Sequence, residues 1–185
     1  MNTRSLSLTL GLVASGLMLS AHAADNPSPV PLAPQVDLQR FMGDWYVLGI
    51  IPNFVEKSAY NSIESYRLDD DGTIDTTFQY RKGGFDGSLK TMKPRGFVEP
   101  GTNNALWGMR VFWPFKGEYR IAHVEPDYSV TIIGRSKLDY VWLLSRKSEM
   151  SEVDFEKYRA LIASWGYETA RFVRVPQQWP EASPR

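Results

Sequence analysis

The chain has 185 residues, with 21 Lys plus Arg against 21 Asp plus Glu and a formal net charge of zero. That balance gives no long-range pull toward phosphate backbones or anionic membranes, so nucleic acid is not an expected partner. Cysteine is absent and only two histidines occur, His22 and His123, which excludes disulfides, thiolate metal sites and Cys nucleophiles and argues against any His-built metal site or triad.

Residues 1–23 read as an export leader. Arg4 supplies the positive start, Leu6 to Leu19 is an apolar stretch, and Ala21-His22-Ala23 has the small-x-small pattern of a cleavage site. Cleavage after Ala23 would place the mature protein in the periplasm or outside the cell. The apolar run is short for a membrane span, and the Cys that carries the lipid of a bacterial lipoprotein is missing. Residues 24–36 hold Pro27, Pro29, Pro31 and Pro34, and the composition predicts an extended tether outside the core. Asp37 to Met42 predicts a short helical turn, with Asp37 as cap and Leu38 and Phe41 on one face.

From Trp45 onward, short apolar runs alternate with turn residues. The runs are Trp45 to Ile51, Tyr60 to Leu68, Thr73 to Arg81, Leu89 to Val98, Ala105 to Phe112, Tyr119 to Val124, Val130 to Ile133 and Tyr140 to Leu144. Pro52-Asn53, Asp69-Asp70-Asp71-Gly72, Lys82-Gly83-Gly84, Pro100-Gly101, Pro114 and Pro126-Asp127 punctuate them. Eight strands at hairpin spacing predict an all-β barrel or sandwich. Ser151 and Asp154 then open a helix whose stripe is Phe155, Tyr158, Leu161, Ile162 and Trp165, and Gly166 ends it. Arg171 to Val175 reads as a short last strand. The folded domain is expected over 37–179, with a tail at 180–185.

Chemistry finds little support. Ser88, Ser129 and Ser145 sit in no Gly-x-Ser-x-Gly elbow, and no His-Glu-x-x-His occurs. Asp69-Asp70-Asp71-Gly72 lacks the later Glu of a Ca²⁺ loop and reads as a hairpin turn. Gly83-Gly84 precedes no helix and so forms no phosphate cradle. No cofactor, metal or catalytic residue is expected.

Three motifs carry a family resemblance. Gly43-Asp44-Trp45-Tyr46 resembles the Gly-x-Trp motif that opens the first strand of lipocalins. Pro126-Asp127-Tyr128 resembles their acidic-Tyr turn, and Tyr140 to Arg146 their last barrel strand with its closing Arg. Leu38-x-x-Phe41-Met42-Gly43-x-Trp45-Tyr46, Pro114-Phe115 and Trp165-Gly166-Tyr167 are similar to the bacterial lipocalins related to apolipoprotein D. The resemblance implies an eight-stranded antiparallel up-and-down β-barrel, with a short N-terminal helical turn and a C-terminal helix packed outside. It also implies a small hydrophobic ligand, a fatty acid, lysophospholipid or similar lipid, held for storage or transport in envelope maintenance. Monomer and homodimer both stay open.

On that register, Trp45 points inward and is expected to plug the closed end beneath Arg146, since a guanidinium stacks well on an indole. Gly43, Trp45 and Arg146 are thus structural residues. Alternation from Trp45 then places Val47, Gly49 and Ile51 inside from the first strand, and the family register implies Glu64 and Tyr66 from the second. The third gives Thr76, Phe78 and Tyr80, and the fourth Val98. Trp107, Met109 and Val111 follow from the fifth, Tyr119, Ile121 and His123 from the sixth, and Trp142 from the eighth. Glu64 and His123 could touch a ligand head or stand at the mouth in water. Phe54 and Val55, after the first strand, could form a lid or touch a membrane. Two other functions remain open: a lipocalin-fold enzyme acting on a hydrophobic substrate, and an interaction module with a filled barrel.

Overall fold

A computed structural model describes residues 28–52, 58–112 and 115–181, the side chains of Phe112 and Phe115 excepted. The expected export leader (1–23) and the expected lid residues Phe54 and Val55 lie outside the described residues. α1 (Leu38–Phe41) leads into β1 (Gly43–Ile51), β2 (Ala59–Leu68) and β3 (Thr73–Lys82). β4 (Leu89–Met92), β5 (Arg95–Val98), β6 (Leu106–Phe112), β7 (Phe115–Val124), β8 (Val130–Gly134) and β9 (Val141–Ser145) follow. α2 (Glu152–Ser164) and the short β10 (Val173–Arg174) are the last α-helix and strand among the described residues. Every neighbouring pair is antiparallel, and β1 pairs with β9, from Tyr46 opposite Ser145 to Ile51 opposite Val141. The sheet therefore closes on itself as an eight-stranded barrel in which β4 and β5 share one position.

The strand expected over 89–98 is two strands. Pro94 interrupts it, because proline has no N–H for the ladder. The Asp69–Gly72 turn is a hairpin corner: Asp71 Oδ1 accepts from the backbone N and the hydroxyl of Thr73, at 3.0 and 2.6 Å. Gly72 supplies the positive φ the corner needs, +78°.

The Pro-rich segment is not a tether over its whole length. Val30, Ala33 and Val36 are buried. Ala33 N donates to Ile121 O at 2.8 Å, and Val36 N to Asn103 O at 2.9 Å. Prolines hold the backbone extended beforehand, so laying it on the barrel costs little further entropy, while the intervening residues keep N–H groups that can bond.

α1 is capped as its sequence predicts, with Asp37 Oδ1 accepting from the backbone N of Gln39 and of Arg40. α2 begins at Ser151, whose Oγ accepts from Asp154 N at 3.0 Å. Its buried stripe of Phe155, Tyr158 and Ile162 packs with Ile132, Val141 and Leu143 on the outside of the barrel. The C-terminal segment lies along β1: β10 pairs Arg174 with Gly49 and Val173 with Ile50. Gln177 Nε2 bridges the backbone of β1 and β2, donating to Val47 O at 2.7 Å and Ser62 O at 3.2 Å.

Candidate ligand-binding site

The closed end is filled by aromatic rings. Trp45 is fully buried and donates from Nε1 to Phe41 O at 2.8 Å. The Arg146 guanidinium lies over its ring, 3.7 Å from the centroid. Phe41 sits against Trp45, Tyr66 and Trp107 at 5.2 to 5.4 Å between centroids. Trp107 stacks on Tyr119 at 5.5 Å. Gly43 is favoured by its φ of +91°, and Arg146 Nη1 would be in van der Waals contact with a Cβ there, at 3.4 Å.

Above this plug, the inward positions carry a polar step and then a second aromatic tier. Tyr66 and Tyr119 share a hydrogen bond between their hydroxyls. Burial, and after it the charges of Tyr119 and Glu64, push the Tyr66 phenol well above its ordinary range; burial and then Glu64 do the same for Tyr119. Glu64 is buried and stands in register between Trp45 and Phe78. Higher up, Phe78 stacks on Tyr80 at 5.3 Å and meets Trp142 at 5.1 Å, and Trp142 meets Tyr140 at 5.1 Å. Among the described residues, Trp142 Nε1 and Ser62 Oγ are buried without a hydrogen-bond partner.

The structure brings most of the expected inward residues together. Val47, Tyr66, Phe78, Tyr80, Trp107, Met109, Tyr119, Ile121 and Trp142 share one buried cluster, and Val98 packs against it. Thr76 is buried in the same register, directly opposite Tyr66.

Three expected positions are corrected by β-bulges, and a fourth follows a register shift. Pairing with β9 skips Leu48, so one extra residue reverses the alternation after Val47. Ile50 then turns inward, while Gly49 and Ile51 face outward. A Cβ on Gly49 would stand 2.5 Å from Phe172 Cζ and 2.9 Å from Phe155 Cε2, the two aromatics that cover the outside there. A second bulge at Ala122 puts His123 opposite Ile132. The imidazole therefore leaves the interior and meets α2, its ring 6.1 Å from Tyr158 and its Nε2 3.3 Å from Glu125 Oε1. The β6–β7 register shifts after Met109, and Val111 is 45% exposed.

Strict alternation also missed inward residues. Ile50 follows from the bulge, and Val175 arrives with the C-terminal segment. Met92 and Lys90 stand opposite Phe78 and Tyr80 on β4. No apolar periodicity marks β4, whose sequence is Leu-Lys-Thr-Met. Only its register against β3 orients it.

A closed antiparallel barrel with an aromatic plug at one end and a largely apolar interior is an up-and-down barrel, an architecture that in other proteins encloses small ligands. A family model described as a lipocalin-like domain matches residues 36–177, and the chain belongs to that family. Temperature-induced lipocalin-1 of Arabidopsis thaliana is 26% identical over 150 residues, covering 77% of this chain and 80% of its own. Outer membrane lipoprotein Blc of Escherichia coli K12 is 22% identical over 177 residues, 94% of this chain and 98% of its own. Among solved structures, insecticyanin from the tobacco hornworm superposes with a TM-score of 0.62 at 14% identity, over 82% of this chain and 85% of its own. The family is one of small-hydrophobic-ligand binders.

Proposed function

We propose that the barrel takes up one lipid-like molecule, a fatty acid, lysophospholipid or similar amphiphile, and stores or carries it in the service of the cell envelope without chemical change. The observation that carries this reading is Trp142. Its ring lies among Phe78 and Tyr140, and its buried indole N–H finds no acceptor among the described residues. An unmet buried donor costs about 1–3 kcal/mol, and a ligand oxygen would recover much of that cost. The walls around it suit an acyl chain, and a pocket of this kind fixes its occupant with few polar groups. The leader-like pattern of residues 1–23 supports an exported site of action.

The test is a fluorescence titration with a long-chain fatty acid, with lipid extraction of the purified protein beside it. A saturable change in tryptophan emission is expected, reduced in Trp142→Phe, which keeps an aromatic ring but removes the N–H. A protein that purifies without lipid and shows a flat titration would overturn the reading.

A further inference from the structure

We propose that the mouth of the barrel selects ligands with an anionic head, through Lys82 and Lys90 on its inner wall; this rests on the ligand-binding reading above. The direction of both side chains follows from register. Lys90 stands directly opposite Tyr80, and Lys82 directly opposite Ala59. Residues directly opposite in an antiparallel pair share a face, and Tyr80 and Ala59 both belong to the interior cluster. The neighbours two positions away agree: Tyr80 precedes Lys82 inside, and Met92 follows Lys90 against the same cluster.

Height along the barrel places them at the open end. β3 rises from the turn at Gly72 and ends at Lys82, and β4 turns back down from Leu89. Both lysines are exposed. Among the described residues neither has an acidic partner. Arg81, which points the other way, already holds Glu181, and Arg135 holds Asp139. Beneath the lysines come Tyr80, Phe78, Met92 and Trp142. A cationic collar over an aromatic shaft matches a molecule with its tail down and a carboxylate or phosphate at the rim. Because the charges face water, each contact is weak, and the collar sets preference among amphiphiles more than total affinity.

The experiment uses four chain-matched amphiphiles in competition with a fluorescent acyl probe on the full chain. Palmitate and 1-palmitoyl lysophosphatidate carry the two anionic heads; hexadecanol and 1-palmitoylglycerol are the neutral counterparts. The anionic members should bind about tenfold more tightly, and added salt should narrow the gap. Lys82→Gln with Lys90→Gln should abolish the gap by weakening the anionic ligands alone. Unchanged neutral affinity shows that the variant is folded. Lys147→Gln, at the opposite end, should leave the gap intact. A preference for only one of the two acids supports the collar and names the head it takes. Equal affinity in the parent chain, or a gap that survives in the double variant, overturns the proposal. If none of the four ligands binds, the ligand-binding reading falls first and takes the collar with it.

Discussion

Arg146 joins parts of the chain that would otherwise end in unmet carbonyls. α1 is four residues long, and its last carbonyls have no helical partner. The Arg146 guanidinium donates to Arg40 O, Phe41 O and Met42 O at 2.8 to 3.0 Å and to Asp44 O at 2.7 Å while covering the Trp45 ring. Burial lowers its pKa, and Asp44 and Tyr66 hold it up. Arg146→Ala should therefore cost about 3 kcal/mol in urea unfolding, from lost charged hydrogen bonds and the cation–π contact. Arg146→Lys keeps the charge without the planar fork and should recover less than half of that; full recovery would show that charge alone matters. The Trp45–Arg146 pair was legible in the sequence because both residues sit at strand ends that must meet when a sheet closes. The surroundings of His123 were not, because a histidine's neighbours depend on which face its strand presents.

Strands and helix show where periodicity stops being a guide. Alternation holds along β3, whose ten residues alternate without interruption between buried and partly exposed, apart from the exposed Lys82 at its end. It fails in β1 and β7 because one added residue shifts everything beyond it to the other face. No residue type announces a bulge at Leu48 or Ala122. A glycine between apolar residues was the available hint at Gly49, since it marks a close approach: Phe172 and Phe155 lie where its side chain would be. Gly49→Val should overpack that seam and destabilise the protein by about 2 kcal/mol, whereas an inward-facing Gly49 would have tolerated a larger residue in the ligand space. Melting the variant with and without fatty acid separates the two: loss of stability without loss of ligand affinity is expected. α2 was read correctly from its stripe. Its anchor was not, because Glu125 gathers Tyr158 Oη and Lys157 Nζ from α2 and His123 Nε2 from β7.

At the scale of the molecule, these contacts set the pH range over which the barrel stands. Glu125 is held below the usual carboxylate range first by the Tyr158 hydroxyl, Glu181 by Arg81 and Asp127 by Ser129. A depressed carboxylate adds stability above its unfolded pKa, about 4, and loses it as pH falls through the folded value. Stability should hold down to about pH 5 and decline below about pH 4. Tyr158→Phe should make that decline shallower, and an unchanged acid slope would remove Glu125 from the account. On the alkaline side, burial pushes Tyr167 up to about 12. Its contribution is complete below about pH 10 and fades as pH rises through its folded value, an alkaline slope that Tyr167→Phe should lack. The closure of the barrel has a kinetic side as well. Arg146 and Asp44 are 102 positions apart, so β1 waits for almost the whole domain before its partner β9 exists. Until then two ladder edges stand open to other chains. Pairings this distant in sequence place the protein among slow folders, on a scale of milliseconds to seconds, and the interval before the edges meet is when crowding with its own kind threatens it most.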